Sequence, residues 1–169
     1  PTTSTKPKAS PLDNFKRGIK RDPSLFPVLK DQKQWDQWLV DLRAQARAQA
    51  VEIVLDTNYV PSTTDELDLF DEKQKYMFAV FNKILQTDKG KSLVRHHSDD
   101  YDAQTVFQDL YDHALRSTQA SIEASDLLKY ITGAKLGSGE WRGTTQAFII
   151  HWQNQVRKYE QLVDIKDVM

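Results

Sequence analysis

The sequence predicts an all-α protein, a bundle of about five to seven helices preceded by an extended basic N-terminal arm. Three observations predict it. Apolar residues recur at three- and four-residue steps from Trp35 to Leu162, which places them on single helix faces. No proline follows Pro61, so nothing beyond it blocks a helix interior. Nowhere do β-branched residues alternate strictly over the length of a strand, so no sheet is read.

The arm is taken as residues 1–29 and the helical domain as 30–169, with possible sub-lobes 30–98 and 99–169. Five of the six prolines lie in the first 27 residues, which argues for an extended, partly disordered stretch. Pro1 is not Met, and the chain reads as cut from a longer one.

The first helix is expected over 32–55, with Asp31 and Gln34 as a capping box and Trp35, Trp38, Leu42 and Ala46 on its inner face. The second is expected over 65–87, capped by Thr64 or Asp65, its stripe running from Leu67 through Phe70, Phe78 and Phe81 to Leu85. Asp88-Lys89-Gly90 reads as its stop, Gly90 taking the left-handed position, and a short helix follows at 91–97. A third helix is read at 101–115, burying Phe107 and Leu110, and a fourth at 118–132, capped by Ser117. A glycine-rich loop then leads to a fifth helix at 145–163, capped by Thr144 or Thr145, with Phe148, Trp152 and Tyr159 inward. The structural core is thus expected at Trp35, Trp38, Phe78, Phe81, Phe107, Leu110, Phe148, Trp152 and Tyr159.

Composition narrows the chemistry. The chain has no cysteine, which removes disulfides, thiol nucleophiles and cysteine-based zinc sites. No apolar run approaches the length of a membrane span, and the start lacks the apolar core of a signal peptide. The formal net charge of −1 is unevenly spread. Residues 1–21 carry six cations against Asp13, a net +5, which leaves −6 on the other 148 residues. Lys16, Arg17, Lys20 and Arg21 are therefore the candidate nucleic-acid contacts, through phosphate charge alone.

His96-His97-Ser98-Asp99-Asp100-Tyr101-Asp102 holds metal-ligand types, but adjacent histidines on a helix point about 100° apart. The cluster reads better as histidines at one helix C-terminus and aspartates at the next N-terminus. The segment 137–145 is glycine-rich but lacks the lysine and the preceding strand of a phosphate loop. There is no Gly-x-Ser-x-Gly elbow. No catalytic residue, cofactor, metal or small-molecule substrate is expected.

Several blocks carry a resemblance. Trp35-x-x-Trp38 opens an Ala/Gln-rich helix and is followed by Asp56-x-x-Tyr59-x-Pro61. Next come Phe70 through Phe81, and Leu85-x-Thr87-Asp88-x-Gly90-Lys91-x-Leu93-Val94-Arg95. Asp102-Ala103-Gln104-x-Val106-Phe107-x-x-Leu110 and Leu128-x-Tyr130-Ile131-Thr132 follow. The last are Trp141-Arg142-Gly143-Thr144-Thr145-x-Ala147-Phe148-Ile149-x-x-Trp152 and Gln155-x-x-x-Tyr159-Glu160-x-Leu162. Together, over about residues 30–163, these resemble the Gag proteins of copia-type LTR retrotransposons. The resemblance implies an α-helical capsid region whose copies assemble into cytoplasmic particles around the element's RNA, ending at Met169 before a complete second capsid lobe. The partners it implies are further copies of the chain and RNA, the latter through the basic arm, with no membrane partner. Such proteins often carry a zinc knuckle further on, and the missing cysteine leaves none in this chain. Two other readings stand beside it: a nucleic-acid-binding module acting through the basic arm, and a metal-dependent enzyme built around His96 and His97.

Overall fold

The computed structural model describes residues 8–135 and 141–168, with side-chain surroundings as far as residue 163. The fold is all-α: six α-helices and no strand among the described residues, with three short 3-10 turns between helices.

The first helix, α1 (Pro11–Arg17), lies in the stretch expected to be extended. Ser10 Oγ accepts from the Asp13 amide at 3.1 Å and Asp13 Oδ2 accepts from the Ser10 amide at 3.3 Å, a closed capping box. Pro11 sits at the first helical position, where its missing N–H would have had no partner and its fixed φ is already helical. Proline here starts a helix instead of preventing one. Residues 22–31 are no free arm either. Phe26 and Leu29 are buried, and Trp38 Nε1 donates to the Pro27 carbonyl at 2.8 Å. The Leu29 amide donates to the Ile84 carbonyl at 2.8 Å, and its carbonyl accepts from the Gln86 amide at 2.9 Å. This isolated parallel bridge ties Leu29 to Leu85.

Helix α2 (Trp35–Ala48) stops seven residues short of the expected 55. Asp31 caps the 3-10 turn Gln32–Gln34 by accepting from the Lys33 amide, so the expected box with Gln34 does not form. At the other end Ala50 has φ 56°, the left-handed region. The Ala50 amide donates to the Arg47 carbonyl at 3.1 Å and the Val51 amide to the Ala46 carbonyl at 2.9 Å, the paired bonds of a Schellman stop. An alanine fills the place glycine usually takes. The third 3-10 stretch, Glu52–Leu55, then buries Val54 and Leu55.

Helix α3 (Thr64–Ile84) is capped by Thr63, one residue before the expected cap, whose Oγ1 accepts from the Glu66 amide at 3.2 Å. Its inner face is Phe70, Met77, Phe78, Val80, Phe81 and Ile84, whereas Leu67 is exposed. Helix α4 (Asp88–His96) begins where a stop was expected: Thr87 Oγ1 caps it by accepting from the Gly90 amide at 3.2 Å. Gly90 is needed for space. A Cβ there would stand 2.8 Å from Leu85 Cβ and 3.0 Å from Thr87 Oγ1, so only glycine lets α4 fold back this closely.

Helix α5 (Ala103–Gly133) is one continuous helix where two were expected. Arg116-Ser117-Thr118 contains no glycine or proline to stop it, and Thr118 Oγ1 donates back to the Ala114 carbonyl at 3.0 Å. A hydroxyl satisfied within its own helix caps nothing. Helix α6 (Thr145–Val168) is capped by Thr144, whose Oγ1 accepts from the Ala147 amide at 3.1 Å.

Two compact units divide the chain, residues 1–111 and 112–169, so the boundary lies inside α5 and not at 98/99. The reason is burial: Val106, Phe107 and Leu110 belong to the core of the first unit. That core also buries Trp35, Trp38, Phe78 and Phe81, as expected. Phe148, Trp152 and Tyr159 are only half-buried, so the second unit lacks the aromatic core expected of it.

Candidate functional site

The four basic residues picked from the sequence have different fates. Arg21 is half-buried and committed to the body. Its Nε donates to the Gln49 carbonyl at 3.1 Å, one of its terminal nitrogens donates to the Phe15 carbonyl at 2.8 Å, and its guanidinium lies 3.4 Å from the Phe15 ring centroid. Burial lowers its pKa. Lys16 is exposed and paired with Glu72 at 3.6 Å. Arg17 and Lys20 are exposed.

Gln49 is the hub of this region and is 4% exposed. Its Oε1 accepts from the Asp22 amide at 2.9 Å and from the Tyr76 hydroxyl at 2.8 Å, while its Nε2 donates to the Asp22 carbonyl at 3.0 Å. Burial raises the pKa of Tyr76 and lowers that of Lys73, whose ammonium lies 5.4 Å from the Phe15 ring centroid. The part-buried charges and amides here serve to fasten residues 15–22 onto α2 and α3.

The histidine–aspartate cluster is a helix junction. His97 is buried at the end of α4, its Nδ1 3.1 Å from Asp100 Oδ2. Asp100 Oδ1 accepts from the Asp102 amide at 3.0 Å, and Asp102 caps α5 by accepting from the Thr105 amide at 2.9 Å. The Asp102 amide bond first, then His97, hold the Asp100 carboxyl below its ordinary pKa. Tyr101 between them has φ 55°, and its ring meets Phe78 edge-on at 5.4 Å. The His96 and His97 rings are perpendicular, and among the described residues no group of three ligand-type side chains converges on one point.

Trp35 and Trp38 are buried against one another, their ring centroids 5.2 Å apart, and are closed to base stacking. Of the glycine-rich segment, 136–140 lie outside the described residues. Trp141, which follows, stacks on His151 at 5.3 Å and donates through Nε1 to the Thr144 carbonyl at 3.1 Å.

Two features escaped the sequence reading. The first is a cavity of about 440 Å³ at the α3–α4 corner, lined by Asn82, Lys83, Leu85, Gln86, Lys91, Val94 and Arg95. Only the four-residue spacing of Lys91 and Arg95 hinted at it. The second is the surface of the second unit. Leu115, Ile122, Leu128, Tyr130, Ile149 and Ile150 are all exposed there, and among its described residues only alanines are buried. Trp152 Nε1 donates to the Ile131 carbonyl at 3.2 Å and Tyr130 meets His151 edge-on at 5.7 Å, so α6 does meet the end of α5.

No helix among the described residues is long and apolar enough to cross a membrane. No family model, curated protein or solved structure matches the chain.

Proposed function

We propose that this chain is a structural, non-enzymatic subunit of the Gag capsid type, which self-associates into a cytoplasmic particle enclosing RNA. The observation that carries this reading is the apolar surface of the second unit. Ile122 is 52% exposed, Ile150 51% and Leu115 52%, while among the described residues of that unit no large side chain is buried. Two long helices that leave such side chains in water gain free energy when another apolar face covers them. The motifs from Trp35 to Leu162 add the Gag resemblance, and a surface built for association accounts for both.

The test is sedimentation of the full chain over a concentration and salt series, with electron microscopy of the concentrated sample. Concentration-dependent oligomers and closed particles are the expected result. A monomer at every concentration and salt would overturn the reading.

A role for the N-terminal segment in binding RNA is supported by Arg17 and Lys20, which stand exposed at and just beyond the end of α1. Arg17→Gln with Lys20→Gln is expected to weaken RNA binding while stability stays unchanged. Unaltered affinity would remove the segment from the interface.

A further inference from the structure

The α3–α4 corner is concave, and its charge has one sign. Lys83 comes from the last turn of α3, while Lys91 and Arg95 stand one turn apart on α4. Asn82 and Gln86 add amide groups, and buried Leu85 and Val94 contribute the apolar part of the lining. No carboxylate lines the cavity. All three cations are exposed, and among the described residues none of them forms a salt bridge. Lys83 acts on Asp22, outside the lining, whose carboxyl is held below its ordinary pKa chiefly by hydrogen bonds from Ser24 and only then by this lysine.

The backbone holds the corner in shape. Gly90 lets α4 approach Leu85, and the Leu29–Leu85 bridge fixes the turn from the other side. Three like charges are thus brought to one concavity by elements that cannot readily spread apart.

Three cations gathered with no carboxylate in the lining repel one another, and a bound polyanion relieves that repulsion. Lysine and arginine donors suit phosphate oxygens, arginine through its planar fork and lysine as a point charge. The volume lies within the range of small-ligand sites, about 300–1,000 Å³. From this geometry we infer that the corner is a phosphate-binding site, held by Lys83, Lys91 and Arg95, with Asn82 and Gln86 donating further hydrogen bonds. The phosphate group belongs either to an RNA backbone or to a free polyphosphate. This assignment does not depend on particle assembly, because it rests on the first unit alone.

The test uses the full chain and two probes: tripolyphosphate by calorimetry and a labelled oligouridine by fluorescence anisotropy. Lys91→Gln with Arg95→Gln is the site variant. Arg43→Gln with Arg47→Gln, exposed on α2 at the same four-residue spacing, removes equal charge elsewhere. The site variant is expected to lose at least about tenfold in tripolyphosphate affinity, the control variant less than about twofold. If three cations contact single-stranded RNA, its affinity falls about 18-fold between about 50 and about 200 mM salt; with one cation left the fall is about threefold. Oligouridine binding with this dependence makes RNA the source of the phosphate. Binding of tripolyphosphate alone makes it a free polyphosphate. If neither probe binds, or if the site and control variants weaken equally, the assignment is overturned. Because both variants alter exposed side chains, a thermal melt is expected to show no change and to exclude misfolding as the cause.

Discussion

Removing the Gln49 side-chain amide should loosen the N-terminal segment and destabilise the first unit. Gln49→Met keeps the volume and loses three hydrogen bonds: two to the Asp22 backbone and one to the Tyr76 hydroxyl. Each such bond contributes about 1 kcal/mol net, and a donor left buried without a partner costs about 1–3 kcal/mol. Asp22 is exposed, so water can replace part of what its amide and carbonyl lose, whereas the half-buried Tyr76 hydroxyl recovers less. A loss of about 2–3 kcal/mol follows. The left-handed Ala50 beside it adds to the sensitivity, because a non-glycine residue there costs about 1–2 kcal/mol that the surrounding contacts must offset. Urea unfolding measures the loss, and trypsin cleavage after Lys20 and Arg21 should quicken. Tyr76→Phe removes one of the three bonds and should cost about 1 kcal/mol. The double variant should lose less than the sum of the single losses, since both share one bond. A Gln49→Met protein within about 0.5 kcal/mol of the parent, or a cycle with no coupling, would refute the hub argument.

Gly90→Ala should destabilise by about 1–3 kcal/mol, since its Cβ would press on Leu85 Cβ at 2.8 Å; an unchanged urea midpoint would show that α4 can shift aside. The Asp100 carboxyl has an ordinary pKa of 3.8, lowered on folding by the Asp102 amide and His97. Its stabilising contribution is therefore present above pH 3.8 and lost as the pH falls through the lower folded value. Asp100→Asn should accordingly show a smaller fall in melting temperature than the parent in that acid range, with equal slopes counting against the junction. Ile122→Asp with Ile150→Asp, both exposed, should shift sedimentation towards monomer without lowering the urea midpoint; undiminished oligomers would place the association surface elsewhere.

Much of the fold was legible because the signals were local. Trp38, Leu42 and Ala46 on α2, and Phe78, Phe81 and Ile84 on α3, keep the helical period and are buried. Thr144 announced α6 because a hydroxyl before a helical run satisfies an orphan amide wherever the rest of the chain lies. The same local logic misread residues whose role is set at a distance. Gly90 looked like a stop, yet its glycine is required by Leu85, which a Cβ there would meet at 2.8 Å. Ser117 looked like a cap between two helices, yet nothing in Arg116-Ser117-Thr118 stops the helix, and the neighbouring Thr118 hydroxyl bonds within it. The candidate site fared worse. Arg21 and Arg17 are indistinguishable as charges in the sequence, and only the position of Phe15 and Gln49 separates a fastening from a free cation.

By itself, then, the order of residues determined the helical class, the inward faces of the first unit and the Thr144 cap, since each depends on neighbours within about one turn. Tertiary structure decided where α2 ends, that residues 22–31 join the body, and that Lys83, Lys91 and Arg95 share one concavity. The physical reason is reach. A buried glutamine and a cluster of like charges are each unfavourable locally, and they persist because contacts across tens of residues hold them.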